Sequence, residues 1–138
     1  MINIYLDIDG VLRGTASPLS DRIELLEYIL LNFKDTSYWL TTHCRSSKYN
    51  HCEAALKTAF SAELANLACR IIKPTDWETL KTEAIDFDHD FVWFDDNLFE
   101  SERQVLKANY VEEDFFWMDP RDPDMAKKAL EKLKNLSK

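Results

Sequence analysis

The sequence predicts an α/β domain with a mainly parallel central sheet and helices on both faces, a Rossmann-like three-layer sandwich. Three observations carry that expectation. Short apolar runs of strand length alternate with stretches of helical periodicity along the 138 residues, the pattern of a parallel sheet joined by crossover helices. Phe91-Val92-Trp93-Phe94 has no polar member, as a strand covered on both faces requires. Two acidic pairs, Asp7/Asp9 and Asp95/Asp96, directly follow apolar runs, and ligands of such sheets bind beyond the carboxyl ends of the strands.

The elements follow in order. Residues 2–6 form a first strand and residues 11–20 a loop, with Ser20 as helix cap. Ile23, Leu26, Ile29, Leu30 and Phe33 recur at helical spacing. Ser37 to Thr41 reads as a second strand. Residues 50–68 read as one helix with Ala55, Leu56, Phe60, Leu64 and Leu67 on one face, and Arg70 to Ile72 as a brief strand. Thr75 followed by Glu78 is a capping-box signature that predicts a helix over 76–86. Phe91 to Phe94 is the buried strand, a helix follows near 99–108, and a strand near 114–118. Asp122 or Pro123 opens a last helix with Met125, Ala129, Leu133 and Leu136 inward. The whole of 1–138 is expected to be a single domain, since no linker, repeat or low-complexity tract divides it.

Composition excludes several classes of function. The 17 aromatic residues exclude a disordered chain. No apolar run approaches the length of a membrane span. A net charge of −8 disfavours a protein that coats nucleic acid, whose affinity rests on Lys and Arg at phosphates. The only glycines, Gly10 and Gly14, form no phosphate-cradling loop, so binding of NAD or ATP on such a loop is not expected. Three cysteines without a C-x-x-C, and a start lacking signal-peptide character, predict a reducing cytoplasm. His43-Cys44 and His51-Cys52 match no usual zinc spacing. The four tryptophans are expected in the core or at a rim, Trp77 near the site mouth.

The predicted sheet collects chemistry along one edge. Asp7 and Asp9 follow the first strand, Thr41 and Thr42 the second, Lys73 the third with Lys81 beyond it, and Asp95 and Asp96 the fourth. Clustered carboxylates raise one another's pKa or require a cation, and a hard, oxygen-ligated divalent ion such as Mg²⁺ suits four acids.

In this order the motifs resemble the haloacid dehalogenase (HAD) superfamily: Asp7-Ile8-Asp9-Gly10-Val11, an apolar strand with Thr41, a lysine, then a strand with Asp95-Asp96. The Trp-Leu-Thr-Thr, Lys-Thr and Trp-Phe-Asp-Asp segments are similar to small bacterial HAD-like proteins. The resemblance spans residues 2–96 in motif order. It implies a Mg²⁺-dependent phosphohydrolase with Asp7 as nucleophile and Asp9 as general acid and base. Members without a second acid tend not to be phosphatases, so Asp9 favours phosphoryl chemistry. The resemblance further implies that Asp7, the Asp9 backbone carbonyl and Asp95 hold the ion, with Asp96 direct or through water. Thr41 or Thr42 would hold phosphoryl oxygens, and Lys73 or Lys81 would balance their charge. Lys73 stands before Pro74, 22 residues ahead of Asp95, and Lys81 stands 14 ahead; both spacings suit the family.

The intervals from Asp9 to Thr41 and from Thr42 to Lys73 leave no room for a cap domain. Capless members tend to act on large substrates, so a phosphorylated macromolecule is the expected partner. The charge disfavours extended nucleic acid and leaves recognition of a nucleic-acid end open, and no membrane is expected. The competing functions are a phospho-receiver or switch module and a catalytically idle HAD-like binding scaffold. A receiver would place its phosphoacceptor in mid-chain, where no lone Asp ends a strand.

Overall fold

The computed structural model describes residues 1–45 and 50–136. Five parallel strands form one sheet in the order β3-β2-β1-β4-β5. They are β1 (Ile2–Leu6), β2 (Ser37–Trp39), β3 (Lys73–Pro74), β4 (Asp90–Asp95) and β5 (Phe115–Trp117). The helices are α1 (Leu19–Asn32), α2 (Cys52–Leu56), α3 (Ala62–Ile71), α4 (Glu100–Ala108) and α5 (Met125–Leu136). The Rossmann-like α/β sandwich is therefore the observed architecture, and no cap stands over the sheet among the described residues. No helix there is long and apolar enough to cross a membrane.

The alternation of side chains along β1 and β4 builds two cores. Ile4, Leu6, Val92 and Phe94 face one way, against residues of α1, α3 and α5. Tyr5, Phe91 and Trp93 face the other way, against Trp77, Ile85 and Leu106. β1 and β4 pair from Ile2↔Asp90 to Leu6↔Phe94, so Asp7 and Asp95 leave the sheet side by side. The chain winds outward from β1 to β2 and β3, then crosses back to β4 on the other side of β1. That reversal is the switch point at which open parallel sheets bind ligands.

Four sequence expectations need correction. α1 starts after Pro18, whose carbonyl accepts the N–H groups of Asp21 and Arg22; Ser20 lies inside the helix and caps nothing. The single helix over 50–68 is two. The Thr58 hydroxyl donates to the Ala55 carbonyl at 2.6 Å, and the Ser61 hydroxyl accepts the Leu64 N–H at 3.2 Å and opens α3. α3 then runs through Ile71, so the short strand falls on Lys73–Pro74 rather than on 70–72. The helix over 76–86 does not form. The Thr75 hydroxyl donates to the Trp39 carbonyl at 2.6 Å, which ties it to the sheet rather than to a cap. The Glu83 carboxylate accepts the N–H groups of Glu78, Thr79 and Leu80. The segment becomes a carboxylate-bound loop ending in one short turn, Lys81–Ala84.

Candidate active site

β1 and β4 deliver Asp7 and Asp95 to the switch point. Asp7 follows Leu6 and its N–H donates to the Phe94 carbonyl at 3.1 Å. Asp95 ends β4, and both acids are buried. Asp96 comes next and reaches back under the loop after β1. Gly10 there has φ +78°, and a Cβ at that position would run into the Asp96 carboxylate. Gly10 thus serves twice, allowing the left-handed turn and the close approach of Asp96.

Asp7, Asp95 and Asp96 each offer a carboxylate oxygen within 4.8 Å of the others. Three oxygens converging from two adjacent strand ends suit a hard divalent cation, so the residues present fit Mg²⁺. Lys81 closes the group. Its Nζ lies 2.6 Å from Asp95 Oδ2 and 3.4 Å from Asp7 Oδ2. Burial works against the ammonium, but the attraction of Asp95 and then of Asp7 outweighs it, so Lys81 is held above its ordinary range. Burial, then the charge of Asp7, pushes the Asp95 carboxyl up to about 8 against the pull of Lys81. One ammonium does not balance three close carboxylates, which leaves the group a demand for a further positive charge. Asp95 is otherwise held by the Trp93 indole N–H at 3.3 Å and the Asn97 N–H at 3.2 Å.

Asp9 stands apart from this group, with its side chain about half exposed. Arg13 Nε donates to its Oδ1 at 2.5 Å, and His43 Nε2 lies 2.8 Å from its Oδ2. An ionised carboxylate only accepts, so Nε2 carries the hydrogen of that bond. Burial would raise the Asp9 carboxyl, but the Arg13 and His43 hydrogen bonds outweigh it and hold it below the ordinary range. Arg13 also donates to the Ala55 carbonyl at 3.2 Å and the Thr58 hydroxyl at 3.0 Å, anchoring the loop to the end of α2.

The structure separates the paired alternatives. Lys81 enters the site; Lys73 is exposed on the edge strand with its ammonium 5.8 Å from the Tyr38 ring centre. Thr42 lines the cleft, whereas Thr41 is fully buried and its hydroxyl accepts the His43 N–H. Thr41 is spent on ordering the turn after β2, and only Thr42 is presented. Trp77 is buried in the core beside Tyr5, Leu40 and Trp93; the aromatic ring at the cleft is that of Phe99. His43 and Cys44 diverge. The imidazole turns to Asp9, and the buried Cys44 thiol donates to the carbonyls of Trp39 and Thr41, which is a packing role.

The cleft has a volume of about 280 Å³ and is lined by Asp7, Asp9, Thr42, Lys81, Asp95 and Phe99, among others. A larger hollow of about 680 Å³ opens at the far ends of the strands, beside Met1, Phe33 and Leu136; Lys34 and Asp35 are its charged lining, and among the described residues it gathers no group of acids that could hold a metal. Sequence reasoning missed Arg13, Phe99 and Glu102, and weighed His43 only as a zinc ligand, which its spacing disfavours, or in a packing or supporting role. Arg13, four residues after Asp9, carried a readable signal. His43 carried one only through its place after the second strand. Comparison of the chain with family models, with curated proteins and with solved structures finds no match.

Proposed function

We propose that the chain is a Mg²⁺-dependent phosphohydrolase acting through an aspartyl-phosphate on Asp7, in the manner of the HAD enzymes its motifs resemble. The observation that carries this reading is the convergence of Asp7, Asp95 and Asp96 within 4.8 Å, with the Lys81 ammonium against two of them. Asp7, Asp95 and Asp96, with the Asp9 carbonyl, would hold the ion. Bound there, Mg²⁺ would neutralise charge on the transferring phosphoryl group and orient it.

The chain's own residues divide the remaining work. An Asp7 oxygen attacks phosphorus in line, and the bond to the leaving oxygen breaks as that oxygen takes a proton from Asp9. Water then attacks the same phosphorus and gives its proton to Asp9, which frees the Asp7 carboxylate and orthophosphate. For these transfers one Asp9 oxygen exchanges its Arg13 or His43 contact for a proton. Lys81 and the Thr42 hydroxyl hold phosphoryl oxygens.

The cleft is uncapped among the described residues and Phe99 at its rim is 58% exposed, which supports a bulky phosphorylated substrate over a small metabolite. A panel of metabolites, phosphopeptides and end-phosphorylated oligonucleotides tests this. A single metabolite turned over with kcat/KM of about 10⁵ M⁻¹s⁻¹ or more contradicts it.

The capture of both Asp9 oxygens favours a second reading, a switch module that is phosphorylated on Asp7 and loses the phosphate slowly. Sustained turnover of p-nitrophenyl phosphate with Mg²⁺, abolished by Asp7→Asn, supports the enzyme. Release of one equivalent per chain supports the switch. Unchanged turnover in Asp7→Asn overturns both.

A further inference from the structure

Glu102 is buried to 2% exposure, which an acidic side chain near a helix N-terminus ordinarily is not. It occupies the third position of α4, where a glutamate commonly folds back onto the capping residue's N–H. Here Oε1 does accept the Phe99 N–H at 3.0 Å. The other oxygen leaves the helix: Oε2 accepts the Lys81 N–H at 3.0 Å. One buried carboxylate thus joins the start of α4, just beyond Asp95-Asp96, to the turn that carries Lys81. Phe99 has no side-chain acceptor to complete a reciprocal cap, so helix capping accounts for only one of the two bonds.

The bond bears on Lys81 because it ties the Lys81 backbone N–H itself to α4. The loop before it is held by the exposed Glu83, and the turn itself is a single short one. The Lys81 side chain must cross from that turn to reach Asp95 and Asp7. A flexible four-carbon stem loses precision when its backbone anchor moves.

We propose that Glu102 is the positioning residue for Lys81, fixing the backbone from which the ammonium reaches Asp7 and Asp95. Glu102 acts through Lys81 and touches no reacting atom. The inference rests on the phosphohydrolase reading for what Lys81 does, and not for where Lys81 sits.

Two variants test it. Glu102→Gln keeps the shape but has one accepting oxygen for two N–H donors. Glu102→Asp keeps the charge and, one methylene shorter, cannot span both donors, so it carries the test if the amide variant fails to fold. The first readout needs no activity: acetylation of Lys81 by acetic anhydride, followed by mass spectrometry. Lys81 should label at least about fivefold faster in either variant, while the exposed Lys57 and Lys127 keep their rates. An unchanged Lys81 rate, or a parallel rise at all three lysines, overturns the proposal.

The second readout is a double-mutant cycle on p-nitrophenyl phosphate turnover. Glu102→Gln should cost about tenfold in kcat when Lys81 is present and less than about twofold in the Lys81→Met background, a coupling within the range for linked residues. Equal losses in both backgrounds overturn the positioning role. Absence of turnover in the unmodified chain counts against the phosphohydrolase reading alone, and the labelling result then decides the role of Glu102 by itself.

Discussion

The Lys81 ammonium lies 2.6 Å from the Asp95 carboxylate, a contact that joins an irregular turn to the end of the buried strand β4. Removing the positive charge leaves Asp7 and Asp95 facing each other unscreened. Lys81→Met is therefore expected to lower kcat by about 10²–10³-fold, the range for losing one charge-stabilising donor. Lys73→Met should change it less than about twofold. Steady-state kinetics on p-nitrophenyl phosphate checks both, and a larger loss at Lys73 would reverse the assignment.

Metal binding should be visible in stability and in its pH dependence. An ion at one hundred times its Kd adds about 2.7 kcal/mol, a rise in Tm of roughly 8 °C for a chain of this size. Asp95 gives the site's own contribution its sign with pH. Its folded pKa of about 8 lies above the ordinary 3.8, so its contribution to the ion-free protein is present in full below the ordinary value and is lost as pH rises toward 8. Lys81 is charged throughout that range and adds no slope. The Asp95 contribution to the ion-free Tm, read as the difference from Asp95→Asn, should fall between pH 6 and 8, and the Mg²⁺-induced increment should grow over the same range as the competing proton leaves. Differential scanning calorimetry with EDTA and with Mg²⁺ measures both.

Gly10 and Asp96 share one space. Gly10→Ala places a Cβ against the Asp96 carboxylate on a backbone with φ +78°. The strain should cost about 1–3 kcal/mol of stability, and Mg²⁺ affinity should fall at least tenfold as Asp96 is displaced. Urea denaturation and calorimetric titration separate the two effects. Asp96→Ala provides the comparison, with the affinity loss but without the backbone strain.

Arg13, with His43, holds the Asp9 carboxyl below its ordinary range. In Arg13→Ala the Asp9 carboxyl should titrate closer to its ordinary value, followed by carboxyl ¹³C NMR. The protein should lose about 1–2 kcal/mol with the bonds to Ala55 and Thr58. An unmoved Asp9 titration would mean that the His43 hydrogen bond alone holds the carboxyl below its ordinary range.

Much of this was legible in the sequence because the relevant signals are periodic and local. The run Phe91–Phe94 is typical of a strand covered on both faces, and that strand delivers Asp95 and Asp96. Ile2–Leu6 likewise delivers Asp7. What was not legible depends on partners distant in sequence. Thr75 looked like a helix cap until Trp39, on a neighbouring strand, claimed its hydroxyl. Thr41 and Thr42 differ by one position, and the turn after β2 buries one and presents the other. Lys81 was separable from Lys73 only once the loop had folded onto Glu83 and Glu102. Neither glutamate carries a signal of its own, because a glutamate that accepts backbone N–H groups looks in sequence like one facing solvent.

The nucleophile is the central claim, and beryllium trifluoride addresses it most directly because it mimics a phosphoryl group on a carboxylate. A crystal structure of the chain with Mg²⁺ and beryllium trifluoride should show the adduct on an Asp7 oxygen, a metal ion between Asp7, Asp95 and Asp96, and the Lys81 ammonium on a fluorine. A site that takes up Mg²⁺ and beryllium trifluoride with the adduct on another residue, or that takes up neither at millimolar concentration, would contradict Asp7 as the nucleophile.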